Sequence, residues 1–464
     1  MKHSKQQDIP FLWALFPLLV MIVTMAVTII RFEGTPHIPL IVGTITAGLV
    51  AHFHGHSWKN MEEGMYQGIR LALPAMLIII LVGLIIATWI GGGIIASLIY
   101  YGLKIMTPSL FLVSICLICC VVSLAIGSSW STMGTIGVAG MGIGISMGIP
   151  APFVAGAIIS GAYFGDKMSP LSDTTNLASG VTETDLFEHI RHMFYTTIPG
   201  LVIALSFYFF AGMQFSAHNI QDGNIQTMIS TLEKHFVISP WLLLVPMLVI
   251  FLVAKKVPAL PALAVGVLSG FICQVFVQGD PAGDAIRAMY DGYTIESGQA
   301  WVDELFNRGG IESMMYTVSL TIVAMTFGGI MESTGMQKAL VNQILKLAKS
   351  AKSLIPTTIL SSFVTNVTAA EQYISILLPS RMFASAYKKR NLHSKNLSRA
   401  LEDGGTVTSA LVPWNTCGVF ITSTLGVNTF QYAPYAIFNY TVPVIGILLA
   451  VLGVKVAGLN RKEE

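Results

Sequence analysis

The run FLWALFPLLVMIVTMAVTII, from Phe11 to Ile30, carries no charged residue. A helix rising about 1.5 Å per residue needs about 20 such residues to cross the hydrocarbon core of a bilayer. Inside that core every backbone amide must be paired within its own segment or in a closed barrel, so a run of this length dictates a membrane helix. The pattern recurs at 37–55, 70–92, 152–180 and 196–215, and again at 239–254, 259–278, 311–332, 396–427 and 434–457. Of the 464 residues, 53% are hydrophobic and only 11% charged, where soluble domains carry about 25% charged residues. The fold class is therefore all-α polytopic membrane protein. No small-residue cleavage site follows the first run, which reads as a retained span.

The same composition excludes several functions. A net charge of +2 does not suit a nucleic-acid binder. No Walker A or dinucleotide-binding glycine pattern is present, and no polar stretch is long enough for a nucleotide-binding domain. The cysteines (Cys116, Cys119, Cys120, Cys273, Cys417) lie in apolar segments without the histidine pairing of a zinc site. No cofactor is expected. GISMG (Gly144 to Gly148) fits the nucleophile-elbow pattern, but that motif needs a strand-to-helix turn and this one sits in a membrane segment. His52, His54 and His56 read as a cluster at a span end rather than a metal site, and no enzyme is expected. A channel would need no internal repeat.

A repeat is present. IPLIVGTITAGLVAHF from Ile38 resembles LPALAVGVLSGFICQV from Leu260, with Pro39 on Pro261 and Gly48 on Gly270, an offset of 222. Gly68 falls on Gly310. AIGSSWSTMG from Ala125 falls on VTNVTAAEQY from Val364 at an offset of 239, which also sets Gly165 on Gly404, Ser169 on Thr408 and Asn176 on Asn415. Two apolar regions, 108–148 and 353–387, are interrupted near their middles by GSSWST and TNVTAAE, and each reads as a broken pair, either a re-entrant hairpin or two full spans, that returns the chain to the side it came from. The chain then divides into a first repeat at 1–215, an extracytoplasmic connection at 216–238 and a second repeat at 239–464. Each repeat holds five transmembrane helices, one of them interrupted, plus one hairpin. Five is odd, so the second repeat is inverted. Lysine and arginine agree with this: Lys2, Lys5, Lys59, Arg70, Arg191, Lys255, Lys256, the 338–352 and 388–395 clusters, Arg461 and Lys462 fall on one side. By the positive-inside rule both termini are cytoplasmic. Segments 57–69 and 284–308 mix charge with apolar residues and read as surface helices.

The most polar stretch inside a span is GDKMSPLSDTTN, Gly165 to Asn176. Pro170 disfavours helix before it, which frees carbonyls for a hard cation. Ser169, Ser172, Thr174, Thr175 and Asn176 supply further oxygens. GGTVTSALVPWNTCG, Gly404 to Gly418, repeats the ingredients, with Thr408, Ser409 and Asn415 as the counterparts. The hairpin tips add Ser128, Ser129 and Thr132 in the first half and Asn366, Thr368 and Glu371 in the second. Interrupted helices in duplicated membrane proteins hold substrates near the bilayer midplane. A charge there costs about 2.5–3.5 kcal/mol on insertion scales, so Asp166, Asp173 and Glu371 mark function. A carboxylate that holds either a proton or Na+ makes the two ions compete, and these three are the expected Na+ ligands. Asp166 has a rival reading as an ion pair with Lys167, Asp173 as a helix N-cap, and Glu371 as a polar tie between repeats. Asp403 serves either the ion or a helix end.

GAYFGDKMSPLSDTTNLA (Gly161 to Ala178) resembles the signature stretch of the NhaC family of bacterial Na+/H+ antiporters. GSSWSTMGTIG and ALEDGGTVTSALVPWNTCG extend the resemblance over nearly the whole chain. It implies a bacterial plasma-membrane carrier exchanging cytoplasmic Na+ for external H+ by alternating access. The wider group to which the family looks related comprises elevator-type carriers, often homodimers embedded in lipid. One similar branch exchanges malate for lactate, coupled to Na+ and H+. A small carboxylate at the Ser128, Ser129, Asn366 and Thr368 tips is the alternative substrate, and Lys167 and Arg381 are its nearest cations.

Overall fold

The computed structural model describes residues 9–32, 34–218 and 222–458. Lys2, Lys5, Arg461 and Lys462, four of the residues used to orient the chain, lie outside these. The order is α1 Phe11–Phe32, α2 His37–Phe53, α3 Trp58–Gly91, α4 Ile94–Ile105, α5 Pro108–Ile126, α6 129–146, α7 Ala151–Met168, α8 Asp173–Val181, α9 Leu186–His218 and α10 Asp222–His235. The second half follows with α11 Leu244–Ala254, α12 Ala259–Gln278, α13 Ala282–Asp291, α14 Ala300–Phe306, α15 Gly310–Ser333, α16 Met336–Leu345, α17 Ala351–Ala369 and α18 Gln372–Lys389. It ends with α19 394–409, α20 Thr416–Leu425, α21 Thr429–Tyr432 and α22 Ile437–Leu452. Helices α6 and α19 each contain a π-helical turn, Met133–Gly137 and Glu402–Thr406. Among the described residues the regular structure is helical, with two isolated β-bridges.

Six described helices are long and apolar enough to cross a membrane, and two bent pairs raise this to eight. Their outer faces present Leu12, Val23, Val202, Phe210, Leu268 and Phe276. Apolar side chains turned outward in this way match a lipid surround. The protein is a multi-pass membrane protein.

Local chemistry explains the boundaries. Ser57 starts α3 by accepting from Asn60 N–H at 3.3 Å, a side-chain cap for an orphan donor. Segment 57–69 is thereby drawn into one 34-residue helix rather than a separate surface helix. Within the 216–238 connection, α10 buries Met228 and Leu232. Both hairpins turn on a left-handed residue, Gly127 (φ 74°) and Ala370 (φ 58°). An L residue in that region costs about 1–2 kcal/mol, so Ala370 is held there by its surroundings.

The two halves repeat one element order. Helix starts at Pro108 and Ala351, Ala151 and Ser394, Asp173 and Thr416, and Leu186 and Thr429 are each 243 residues apart. The hairpin turns obey the same spacing. Helices α2 and α12 start 222 apart, as the sequence match placed them, and the extra helices α13 and α14 account for the change. The offset of 239 is thus corrected by four residues: Gly127 pairs with Ala370 rather than Asn366, and Gly404 with Gly161 rather than Gly165. Four residues is close to one helical turn, a slip that keeps the same face apolar. The corrected register has a packing signature. A Cβ on Gly161 would lie 2.2 Å from Cys116 O, and one on Gly404 would lie 2.4 Å from Ile359 O. Cys116 and Ile359 are themselves 243 apart.

Helices α1, α2, α3, α12 and α15 pack together, with α3 crossing α15 where Gly64 meets Gly329, and one hydrophobic core continues from α3 and α12 into the first hairpin, α7 and α22. The hairpins, the interrupted helices, α9 and α22 pack on one another beside that group.

Candidate functional site

Four helix N-termini meet at one cavity of about 590 Å³. They belong to α6 and α18, the second arms of the hairpins, and to α8 and α20, the second halves of the interrupted helices. Their N-caps are Ser128, Glu371, Ser172 and Asn415. The opposite wall comes from α3 (Leu71, Pro74, Ala75, Ile78) and from the turn before α12, including Lys256. Each helix start carries partial positive charge and unpaired amide donors.

Asp166, in the last turn of α7, is 7% exposed and reaches this cavity. Its Oδ2 accepts from Ser129 N–H at 3.1 Å and from Ser129 Oγ at 2.6 Å. Its Oδ1 accepts from Ser172 Oγ at 2.6 Å. One carboxylate thus ties the first hairpin tip to the break in the first interrupted helix. Oδ1 keeps a lone pair free, since a carboxylate oxygen accepts two bonds. Asp166 makes no pair with Lys167. That lysine turns away and, at 0% exposure, donates to Asp403 Oδ1 at 2.7 Å. Arg381, the other cation expected near a carboxylate substrate, is exposed and outside the cavity lining.

The remaining sequence-derived residues divide by position. Ser128, Ser129, Asp173, Asn176 and Glu371 line the cavity with Asp166. Asp173 is the first residue of α8 and Ser172 its N-cap, so Asp173 is not the cap. Glu371 is a cap: its Oε2 accepts from Tyr373 N–H at 2.5 Å and Ile374 N–H at 3.3 Å. Asn176 turns its amide rather than its oxygen to the break, donating to Pro170 O at 2.9 Å and Ser172 O at 2.7 Å. The carbonyls expected to be free beside Pro170 are in this way partly satisfied.

Eight others are not in the cavity lining. Ser169, Thr175, Thr132 and Thr368 donate to the carbonyls of Leu124, Lys167, Ser128 and Val364. Asn366 donates to Gly405 O at 2.6 Å and Thr408 Oγ1 at 3.1 Å, while Asn415 Nδ2 donates to Asn366 Oδ1 at 3.1 Å. Thr408 and Ser409 close onto Gly404 O and Thr406 O. These bonds lock the second hairpin onto the second break, as Asp166 locks the first.

Sequence reasoning passed over Ser131, Gln372, Tyr373 and Cys417, all in the lining. Gln372 Oε1 accepts from Cys417 Sγ at 2.7 Å and Ser409 Oγ at 3.3 Å. Trp130 stacks on Phe420 with centroids 4.2 Å apart, joining the first hairpin tip to α20. No sequence signal marks these positions, because the helix that begins at Gln372 is capped by Glu371, and glutamate is not among the favoured N-caps. No described group of three His, Cys, Asp or Glu is placed to hold a metal ion. Ser146 of GISMG lies in α6 and donates to Gly142 O at 2.6 Å, an ordinary helical contact.

Paired hairpins, two interrupted helices and a central polar cavity define the class: a polytopic α-helical membrane protein with its polar centre at helix breaks. The match of residues 161–454 to the model of the Na+/H+ antiporter family, and the similarity to whole relatives, narrow this. The chain is 41% identical over 456 residues to the Na(+)/H(+) antiporter NhaC of Alkalihalophilus pseudofirmus, covering 98% of this chain and 97% of that one. It is 38% identical to the Na(+)/H(+) antiporter NhaC of Bacillus subtilis, covering 97% and 99%. It is 36% identical to the Malate-2H(+)/Na(+)-lactate antiporter of the same organism, covering 97% and 96%. The chain belongs to the Na+/H+ antiporter family, and these relatives are named as transporters, not enzymes.

Proposed function

We propose that the protein exchanges cytoplasmic Na+ for external H+ by alternating access at the Asp166 cavity. The observation that carries this reading is Asp166 itself. It is a buried carboxylate at a helix break, it faces a cavity, and its two oxygens hold together the elements that would have to part for an ion to pass. Na+ ligation uses the free lone pair of Oδ1 with Asp173 and nearby hydroxyls. Protonation of the same group releases the ion, so each cation drives the other out. Asn366, Thr408 and Asn415 form the corresponding lock in the second half and Ser169, Thr132, Thr175, Thr368 and Ser409 support the breaks.

Two inverted repeats, 1–215 and 239–464 joined by 216–238, supply the alternation. The repeated element order supports duplication. The five spans per repeat read from the sequence and the one-sided lysines and arginines support inversion, with both termini cytoplasmic in a bacterial plasma membrane. The body built on α3 and α15 serves as the fixed frame, in a monomer or a homodimer.

A second reading has its own support. Four positive helix ends and Lys256 around one cavity favour a carboxylate guest, and one relative is named for malate and lactate. The two readings part in proteoliposomes carrying an imposed pH gradient. Na+ alone should collapse the gradient, and no response without malate or lactate would replace the first reading with the second.

A further inference from the structure

A second buried cluster lies behind the Asp166 cavity. Its members are Lys167 from α7, Arg399, Glu402 and Asp403 from α19, and His189 and His192 from α9, none more than 7% exposed. Asp403 is well served. Oδ1 accepts from Lys167 Nζ at 2.7 Å and Thr196 Oγ1 at 3.0 Å, and Arg399 Nε lies 4.0 Å from Oδ2. Glu402 is not. Fully buried at the start of the π-helical turn, its carboxylate has one neighbouring donor, the Thr406 hydroxyl, and that contact falls short of normal hydrogen-bond geometry. Both ring nitrogens of His189 and Nε2 of His192 are likewise without partners. An ionised carboxylate with only one poorly aligned hydroxyl donor is costly to bury.

The cluster has an entrance of its own. A cavity of about 290 Å³, lined by Glu188, Arg191, His192, Tyr195, Lys395 and Lys455, reaches it at His192. None of these residues lines the Asp166 cavity.

We propose that Glu402 is a proton-binding site distinct from the Asp166 site, reached through the His192 vestibule and linked to Na+ binding by charge. With Asp403 shared between Lys167 and Arg399, an ionised Glu402 completes a balance of two cations and two anions. A protonated Glu402 leaves one excess positive charge. Na+ on Asp166, the residue preceding Lys167, repels that excess, so Na+ binding expels the proton from Glu402 and proton binding expels Na+. Other elements packed on α19 add little charge. Helices α17 and α18 bring the hydrogen-bonded Thr358 and Tyr387, α8 carries Asp173 on its cavity side, and α22 contains no carboxylate, lysine, arginine or histidine. The histidines carry the proton from the vestibule to Glu402 and return to their neutral forms.

This rests on the Na+/H+ reading, and the test separates the two. In proteoliposomes, Glu402→Gln, fixed in the neutral form that disfavours Na+, should keep Na+/Na+ exchange at saturating Na+ with a raised apparent KM for Na+, while losing at least tenfold of pH-gradient-driven Na+ uptake. Asp166→Asn should lose both. Wild-type gradient-driven uptake by Glu402→Gln overturns the proposal and leaves the Asp166 reading intact. Loss of Na+/Na+ exchange at saturating Na+ by a folded Glu402→Gln protein also overturns it, because Glu402 would then belong to the Na+ site or the frame. If Glu402→Gln does not fold, Glu402→Asp, which keeps the carboxylate, must shift the pH profile of gradient-driven uptake, and an unshifted profile refutes the proposal.

Discussion

Removing either partner of the Lys167–Asp403 pair should destabilise the protein, and by unequal amounts. Both side chains are 0% exposed. Breaking a buried pair by deleting one member costs about 3–5 kcal/mol, because it strands the other charge. Lys167→Met leaves Asp403 with the Thr196 hydroxyl at 3.0 Å and Arg399 at 4.0 Å. The stranded anion is partly compensated, which places this variant near the lower end, about 3 kcal/mol. Asp403→Asn strands two cations, Lys167 and Arg399, with Glu402 as the remaining acidic neighbour. That variant belongs near the upper end, about 5 kcal/mol. Replacing both, as Lys167→Met with Asp403→Leu, removes the desolvation cost with the attraction and should recover much of the loss. Chemical unfolding in detergent micelles, followed by tryptophan fluorescence, measures all three. A loss under about 1 kcal/mol for Asp403→Asn, typical of an exposed pair, would refute the reasoning. So would a larger loss for Lys167→Met than for Asp403→Asn.

Other perturbations have defined outcomes. Gly161→Val and Gly404→Val place side chains against Cys116 O and Ile359 O; both should lower the melting temperature sharply, and a tolerated substitution at either would break the 243-residue register. Arg308 donates to Thr424 O at 3.0 Å, next to the left-handed Gly426 that ends α20. Arg308→Ala should cost about 1.5–3 kcal/mol for a charge-assisted bond, read as faster hydrogen exchange across 416–426. Ser128→Ala removes the acceptor for Ser131 N–H at 3.2 Å and should cost about 1 kcal/mol, typical of a lost N-cap, with faster exchange at the start of α6.

Much of the architecture is legible in the sequence. The uncharged runs specify membrane helices because hydrocarbon leaves the backbone no alternative, and the hairpin arms at 108–148 and 353–387 show as apolar stretches with polar middles. Asp166 is legible for the same energetic reason. The repeat register is harder, since a shift of one helical turn preserves the apolar face and only the turns at Gly127 and Ala370 fix it. Ala370 carries no glycine or proline signal, and glutamate is not among the favoured N-caps, so the start of α18 and the cavity positions of Gln372 and Tyr373 are not readable from the chain. The Lys167–Asp403 pair joins residues 236 apart, a distance no local pattern spans. Asn176 illustrates a finer limit: a side-chain amide offers both an oxygen and two donors, and only the folded geometry shows which end meets the break.

The central claim is that Na+ and H+ compete for Asp166. Purified protein in weakly buffered detergent solution, titrated with NaCl against choline chloride as the ionic-strength control, tests it by proton release. The account predicts Na+-dependent acidification that is lost in Asp166→Asn, because the Glu402 proton too is expelled only by Na+ on Asp166. Proton release unchanged in Asp166→Asn, or absent from the wild type at every pH where it transports, would contradict it.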